Sequence, residues 1–379
     1  MSANEQMVLL NASAGPVDAP APVDAIGVHR RLPGYATTTL TECTGLATQL
    51  GLGKVWVKDE SSRLGLPSFK ILGASYAIYR ALAERLGGID SDWADIDQLR
   101  AAVAAVRPLR LIAATDGNHG RAVAHMARLL DLASTIYVPA GMAASRIAAI
   151  ESEGALVEVV DGDYDAAVRR SAQDEGPAGL VVSDTSWPGY ERIPSWVVEG
   201  YATIFDEIAA TLAEWGERSP SHVVVPVGVG ALAAATIRHF RGYGADNPYI
   251  LGVEPAAAAC VLESLRAGKE VTVPGPHTSI MAGLNCGTPS QVAWPLLRRG
   301  LDGVVAIADD RARDAMRALA AAGVVAGETG AAALGGLVEV LTGPDAALRE
   351  SWQLGPDSRV LLLCTEGVTD PEAYQRIVG

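Results

Sequence analysis

The chain of 379 residues is poor in aromatic side chains, in cysteine and in basic clusters, and each shortage closes off a class of function. Aromatic residues make up 5%, too few for the stacking platforms that hold single-stranded nucleic acid. The formal net charge is −14 and no run of Lys and Arg interrupts it, so nucleic acid and anionic membrane surfaces are not expected partners. No apolar stretch reaches membrane-spanning length, and the longest, such as 223–229, are strand-sized. Cys43, Cys260, Cys286 and Cys364 are scattered, with no C-x-x-C pair and no histidine at ligand spacing, so no metal site is expected. Four cysteines over this length do not make a disulfide scaffold, which points to a reducing cytoplasm. The first 25 residues, rich in Ala and Pro, lack a basic segment followed by an apolar one and read as a loose leader.

Small and apolar residues are plentiful instead. Hydrophobic residues reach 49% and glycine counts 40, enough for a large core of helices packed closely on strands. Short apolar runs at 55–57, 109–114, 135–138, 156–160 and 180–183 alternate with helical patterns. A second series follows the aromatic-rich link 187–196, with strands at 222–227, 249–253, 303–307 and 359–364. This alternation predicts an α/β protein of parallel sheets joined by βαβ crossovers. We expect two lobes, each a mostly parallel sheet flanked by helices: a larger domain of 1–78 and 188–379, and a smaller inserted domain of 79–187. The ligand cleft is then expected at the carboxyl ends of the strands. Leu40, Cys43, Leu46 and Leu50 read as one helix closed by Gly51 and Gly53, and 197–214 as a single long helix.

The stretch 56–76, WVKDESSRLGLPSFKILGASY, carries the residue around which the rest is organised. Ser68 is placed as an N-cap, which sets Lys70 in the first turn of a helix. There the positive helix end helps an amine lose its proton, and a neutral amine is what Schiff-base chemistry needs. A solvated surface lysine is the plain alternative. Gly228-Val229-Gly230-Ala231-Leu232 follows a strand and opens a helix, a backbone suited to a single phosphate. It lacks the glycine spacing of a dinucleotide site and the lysine of a nucleoside-triphosphate loop, and a tight strand-to-helix turn explains it equally well. The turn TDGNHG (115–120) sets Asp116, Asn118 and His119 at another strand end. Asp and Asn also serve as turn and cap residues, and His119 is read as a structural histidine. Asp184 closes the strand 180–183, and Glu328 and Glu366 lie in similar turns. Capping explains any one of these; five such turns together point to a site.

Taken in order, SFK (68–70), GNHG (117–120) and the glycine loop resemble the signature of fold-type II pyridoxal-phosphate enzymes, and within that group the diaminopropionate ammonia-lyase family. The matching stretches are PGY (33–35), VWVKDESSRLGLPSFKILGASYA (55–77), ATDGNHGRAVA (114–124), SDTSWPGYERIPSWVVEGY (183–201), TSIMAGLNCGTPS (278–290), GETGA (327–331) and TEGVTDP (365–371). They span nearly the whole chain.

The resemblance implies pyridoxal 5′-phosphate as cofactor, with Lys70 forming its Schiff base and residues 228–232 holding its phosphate. Asn118 would bond the O3′ atom, Phe69 and Glu328 would complete the cofactor shell, and Cys364 or Thr365 would face the pyridine nitrogen. Either of the last two is a neutral partner, which favours elimination over transamination. The family accepts both enantiomers of its substrate, which implies Lys70 as base for the L-form, Asp116 for the D-form, and Asp184 lining the substrate pocket. The implied reaction is α,β-elimination on 2,3-diaminopropionate, giving pyruvate and ammonia, by a homodimer whose partner is a small amino acid. Four departures bear on substrate identity more than on cofactor use: Cys364 for the usual Ser, GETGA for GESGA, Val368 within TEGVTDP, and LGLPSFK for FGLNAFK. A dehydratase or β-replacement enzyme acting on serine, threonine or another β-substituted amino acid is the alternative.

Overall fold

Most of the apolar runs fold into strands buried on both faces, as parallel sheets require, while 156–160 forms an edge strand with Leu156 and Val159 exposed. The structure, a computed structural model, describes residues 7–89, 93–115, 117–243, 247–343 and 346–379. Among them eleven strands follow the chain: β1 Val8–Leu10, β2 Leu40–Glu42, β3 Lys54–Asp59, β4 Arg110–Ala114, β5 Ala133–Pro139, β6 Leu156–Val160, β7 Gly179–Val181, β8 His222–Pro226, β9 Tyr249–Pro255, β10 Gly303–Ile307 and β11 Arg359–Cys364. The chain divides into a large unit (Met1–Pro22, Thr38–Ser61 and Ile204–Gly379) and a small unit (Val23–Thr37 and Ser62–Thr203).

The large unit is built on a seven-stranded sheet in the order β1-β10-β9-β8-β11-β3-β2. Its five inner strands are parallel, with Val55 opposite Val360 and Val57 opposite Leu362 in the β3–β11 register. The two edge strands, β1 and β2, run antiparallel and are short, which limits the row of unpaired backbone groups an edge exposes. The core joins Val55, Val57, Val224 and Leu362 to the apolar faces of helices Asp309–Ala321 and Ala332–Thr342. Full burial contributes roughly 1.5–3 kcal/mol for each such aliphatic side chain.

The small unit holds a four-stranded, all-parallel sheet in the order β6-β5-β4-β7. It takes in more than the inserted domain of 79–187 expected from the sequence: Val23–Thr37, residues 62–78 with the start of helix Lys70–Arg85, and residues 188–203 belong to it as well. Glycine makes that packing possible. A Cβ on Gly73 would lie 2.6 Å from the Tyr201 ring, and one on Gly200 would lie 2.5 Å from the Leu72 carbonyl oxygen. Main chain meets main chain there, which no larger residue permits.

Three local expectations change. Residues 40–42 are strand β2, and only Thr44–Leu50 is helical, ending on Gly51 in the left-handed conformation. Pairing with β3 outweighs the helical spacing of Leu40. The stretch 197–214 is two helices, Arg192–Gly200 and Ala202–Trp215, interrupted at Tyr201 beside the close approach of Gly200. The leader is not wholly loose: Val8, Leu9 and Leu10 pair with Val305, Val304 and Gly303. Three residues are too few to show a period, so only their partner strand reveals them.

Candidate active site

Lysine is scarce in this chain, which makes a choice of nucleophile possible: Lys54, Lys58, Lys70 and Lys269 are the full set. Lys58 is completely buried, 2.7 Å from Glu207 and 2.8 Å from the Thr38 carbonyl. Lys54 is bonded to Glu217, which holds its ammonium charged. Lys269 is exposed. Lys70 differs from all three. It is the first residue of its helix, its side chain is 18% exposed, and its ammonium meets the carboxylate of Asp184. Its Nζ lies 5.5 Å from the centre of the Phe69 ring. The helix start is as expected but the cap is not. Phe69, and not Ser68 as the sequence predicts, occupies the N-cap position, with helical backbone and no side chain closing the turn.

Asp184 sits just beyond β7 and is buried. Burial alone would raise its carboxyl, but the Lys70 ammonium, with His119 and hydrogen bonds from Lys70 and Tyr164, holds it well below the usual carboxylate range. The Tyr164 hydroxyl donates to its Oδ1 over 3.1 Å. Tyr164 was not anticipated; an aromatic opening a helix just after strand β6 was the available signal. His119 bonds the Val182 carbonyl through Nε2 at 2.8 Å, while its buried Nδ1 has no partner among the described residues. Burial lowers its tendency to protonate. Asn118 opens the helix Asn118–Leu129. The turn before it is capped by Thr115, whose Oγ1 accepts from the N–H groups of Gly117 and Gly120 at 2.9 and 3.0 Å. Asp116 lies outside the described residues. Lys70, Phe69, Asp184, His119 and Tyr164 are thus one cluster within the small unit.

A second cluster belongs to the large unit. The loop after β8 turns through Gly230, at φ +95°, into helix Ala231–Ile237. Among the described residues, the backbone N–H groups of Gly228 to Leu232 donate to no other protein group. Side chains are excluded from this cradle. A Cβ on Gly230 would lie 2.5 Å from Leu297, and one on Gly228 would lie 3.1 Å from the Gly283 carbonyl oxygen and 3.2 Å from Cys286 Sγ. Gly283 also donates its N–H to Thr329 Oγ1 at 3.3 Å, which ties the loop to the segment holding Glu328. That segment lies against the end of β11: Thr329 N–H donates to Glu366 Oε1 at 3.2 Å. At that strand end Cys364 and Thr365 separate. Burial pushes the Cys364 thiol far up, and its Sγ faces the Glu366 carbonyl at 3.7 Å. The Thr365 hydroxyl is buried and has no partner among the described residues. All four cysteines are buried and none forms a disulfide.

Residues 31–366 match the family described as pyridoxal-phosphate dependent enzymes. The chain belongs to this family. Within the family, the diaminopropionate ammonia-lyase of Salmonella typhimurium is 36% identical over 375 residues, covering 94% of this chain and 91% of its own length. A crystal structure of diaminopropionate ammonia-lyase from Escherichia coli in complex with D-serine has a TM-score of 0.90 and 34% identity, over 98% of this chain and 96% of that one. A second structure of that enzyme, with an aminoacrylate-PLP azomethine reaction intermediate, has a TM-score of 0.88. This is therefore a fold-type II enzyme that uses pyridoxal phosphate. The chain's own groups fit the cofactor. Among the described residues, the N–H groups of 228–232 and the Thr365 hydroxyl have no protein partner, which suits a phosphate and a ring nitrogen respectively, and the Lys70 amine suits an aldehyde carbon.

Proposed function

We propose that this enzyme eliminates ammonia from 2,3-diaminopropionate, releasing pyruvate and a second ammonia, and that it accepts both enantiomers. The observation that carries this reading is the Lys70–Asp184 pair: a lysine at a helix start, held by a buried carboxylate that remains ionised. It is joined by the identity of more than one third across nearly the whole length of a diaminopropionate ammonia-lyase.

When bound, pyridoxal phosphate supplies an electron sink for the substrate's Cα–H bond and for departure of the β-amino group. The protein's part is to bind, orient and move protons. Residues 228–232 take the phosphate, and Asn118 takes the O3′ atom. Phe69 and Glu328 belong to the cofactor shell. Thr365 is assigned the ring nitrogen over Cys364, because the Cys364 thiol already faces the Glu366 carbonyl. A hydroxyl is a neutral partner and leaves that nitrogen unprotonated, which favours elimination over transamination. The Lys70 amine would hold the aldehyde carbon and, once displaced from it by the substrate's α-amine, would be free to serve as base at Cα of the L-substrate. Asp116 is assigned the same proton of the D-substrate. Asp184, which meets the Lys70 ammonium here, is the natural site for a substrate ammonium. We infer a cytoplasmic homodimer, to be checked by light scattering of the purified protein and by fractionation.

A second reading, dehydration or β-replacement on a hydroxy amino acid, is supported by the D-serine held in the Escherichia coli structure and by Val368 in this chain. One panel separates the two. Ammonia and pyruvate are measured with both enantiomers of 2,3-diaminopropionate, serine and threonine. Turnover of diaminopropionate with two ammonia per pyruvate supports the first reading. Turnover of hydroxy amino acids alone replaces it with the second.

A further inference from the structure

Tyr201 is completely buried, and its hydroxyl has no hydrogen-bond partner among the described residues. Such a group is costly, because the water it gave up has not been replaced. Its position is firmly set. The ring packs on Gly73, one turn along the helix from Lys70, so closely that a Cβ there would lie 2.7 Å from the ring's Cζ. On its other side it packs against Phe69, with ring centres 4.8 Å apart. The Lys70 Nζ lies over that same Phe69 ring, and the phenol feels both Lys70 and Asp184 electrostatically. The other ionisable groups around it are Tyr164 and His119 about Asp184, Tyr76 and Arg80 along the Lys70 helix, and Glu199 at the end of the preceding helix Arg192–Gly200. Burial holds the phenol protonated, so it offers a donor and not a base.

An ammonium has no acceptor to offer this donor, whereas a neutral amine has one lone pair. Resting on the reading that Lys70 is the cofactor-binding amine, we propose that the Tyr201 hydroxyl is a positioning group for Lys70, donating to Nζ once the amine has released its proton to solvent. A hydrogen bond to the neutral form favours that form. The free base is thereby held ready to bond the aldehyde carbon, with the aldehyde oxygen leaving as water. The partnerless hydroxyl is then a stability cost kept for reactivity.

Tyr201→Phe tests this, since it keeps the ring on Gly73 and Phe69 and removes only the hydroxyl. The full-length chain, stripped of cofactor, is mixed with pyridoxal phosphate, and growth of the visible absorbance of the lysine-bound cofactor is followed across pH. The variant is expected to react roughly three- to ten-fold more slowly near neutrality, the worth of one net hydrogen bond, with its rate–pH midpoint moved upward. Its melting temperature is expected to rise by roughly 2–4 °C through loss of a buried unpaired group. Tyr190→Phe is the control. That hydroxyl accepts from Ser183 N–H at 3.0 Å and donates to the Val181 carbonyl at 2.6 Å, so its loss should lower the melting temperature. A Tyr201→Phe variant that melts lower, as the control does, or whose pH profile matches the parent, overturns the proposal. A parent chain that never develops the absorbance overturns the Lys70 reading instead, while the melting comparison still reports on the hydroxyl.

Discussion

Replacing Asp184 with Asn removes the anion facing Lys70 and leaves the shape of the side chain unchanged. The side chains of Asp184 and Lys70 are 6% and 18% exposed, so solvent screens the pair only in part. Removing one member of a buried ion pair costs about 3–5 kcal/mol, because its partner is left charged and desolvated. Lys70 retains some contact with water, which places the expected loss near the lower end, about 3 kcal/mol. At roughly 2–4 °C per kcal/mol for a unit of this size, the stripped chain should melt about 6–12 °C lower. The pH dependence follows from the same pair. Burial opposes ionisation of Asp184, yet Lys70 and its other partners hold the carboxyl below its usual range. An acid depressed in this way stabilises the fold above its ordinary pKa and loses that contribution as pH falls toward the depressed value. The gap between parent and variant should therefore be flat from about pH 5 to 8 and close only in strong acid. Differential scanning calorimetry across pH reads both quantities. A variant within 1 °C (about the scatter expected for a neutral surface change) at neutral pH, or a gap that widens on acidification, would refute the pairing.

Other outcomes follow from the same geometry. Gly230→Ala puts a Cβ at φ +95° and 2.5 Å from Leu297, which should cost about 1–3 kcal/mol and weaken pyridoxal-phosphate retention in equilibrium dialysis; retention equal to the parent's would remove the cradle from the site. Lys58→Met should lose about 3–5 kcal/mol by urea denaturation, and Lys58→Met combined with Glu207→Leu should recover most of it. Additive losses would show that the two charges are uncoupled. Glu254 is fully buried at the end of β9, and burial raises its carboxyl to about 8 although the N–H groups of Val261 and Leu262 both donate to it at 2.8 Å. An acid that keeps its proton in the folded chain favours folding below that range. Stability should therefore decline as pH climbs from the ordinary glutamate value of 4.5 toward 8. Glu254→Gln should flatten the decline, and an unchanged slope would assign it to another group.

The sequence announced the parallel sheets through continuous apolar runs, because strands buried on both faces need no alternation. It also placed Lys70 at a helix start and the glycine loop behind a strand, since both depend on short-range backbone chemistry. What it concealed was tertiary. The pairing of Lys70 with Asp184 joins residues 114 positions apart, and no local pattern encodes it. Tyr164 and Tyr201 resembled ordinary core aromatics until their hydroxyls could be followed. Strand β1 is too short to carry a period, and β2 hid within a helical spacing that its sheet partner overrode. That the Cys364 thiol faces the Glu366 carbonyl while the Thr365 hydroxyl has no partner among the described residues was likewise not legible in the sequence.

The central claim is that Lys70, out of four lysines, is the amine that holds the cofactor. The direct test is to reduce the cofactor-loaded enzyme with borohydride, digest it and locate the added mass by peptide sequencing. The account predicts a single labelled peptide with the modification on Lys70. A label on Lys54, Lys58 or Lys269, or no stable label at all, would contradict it.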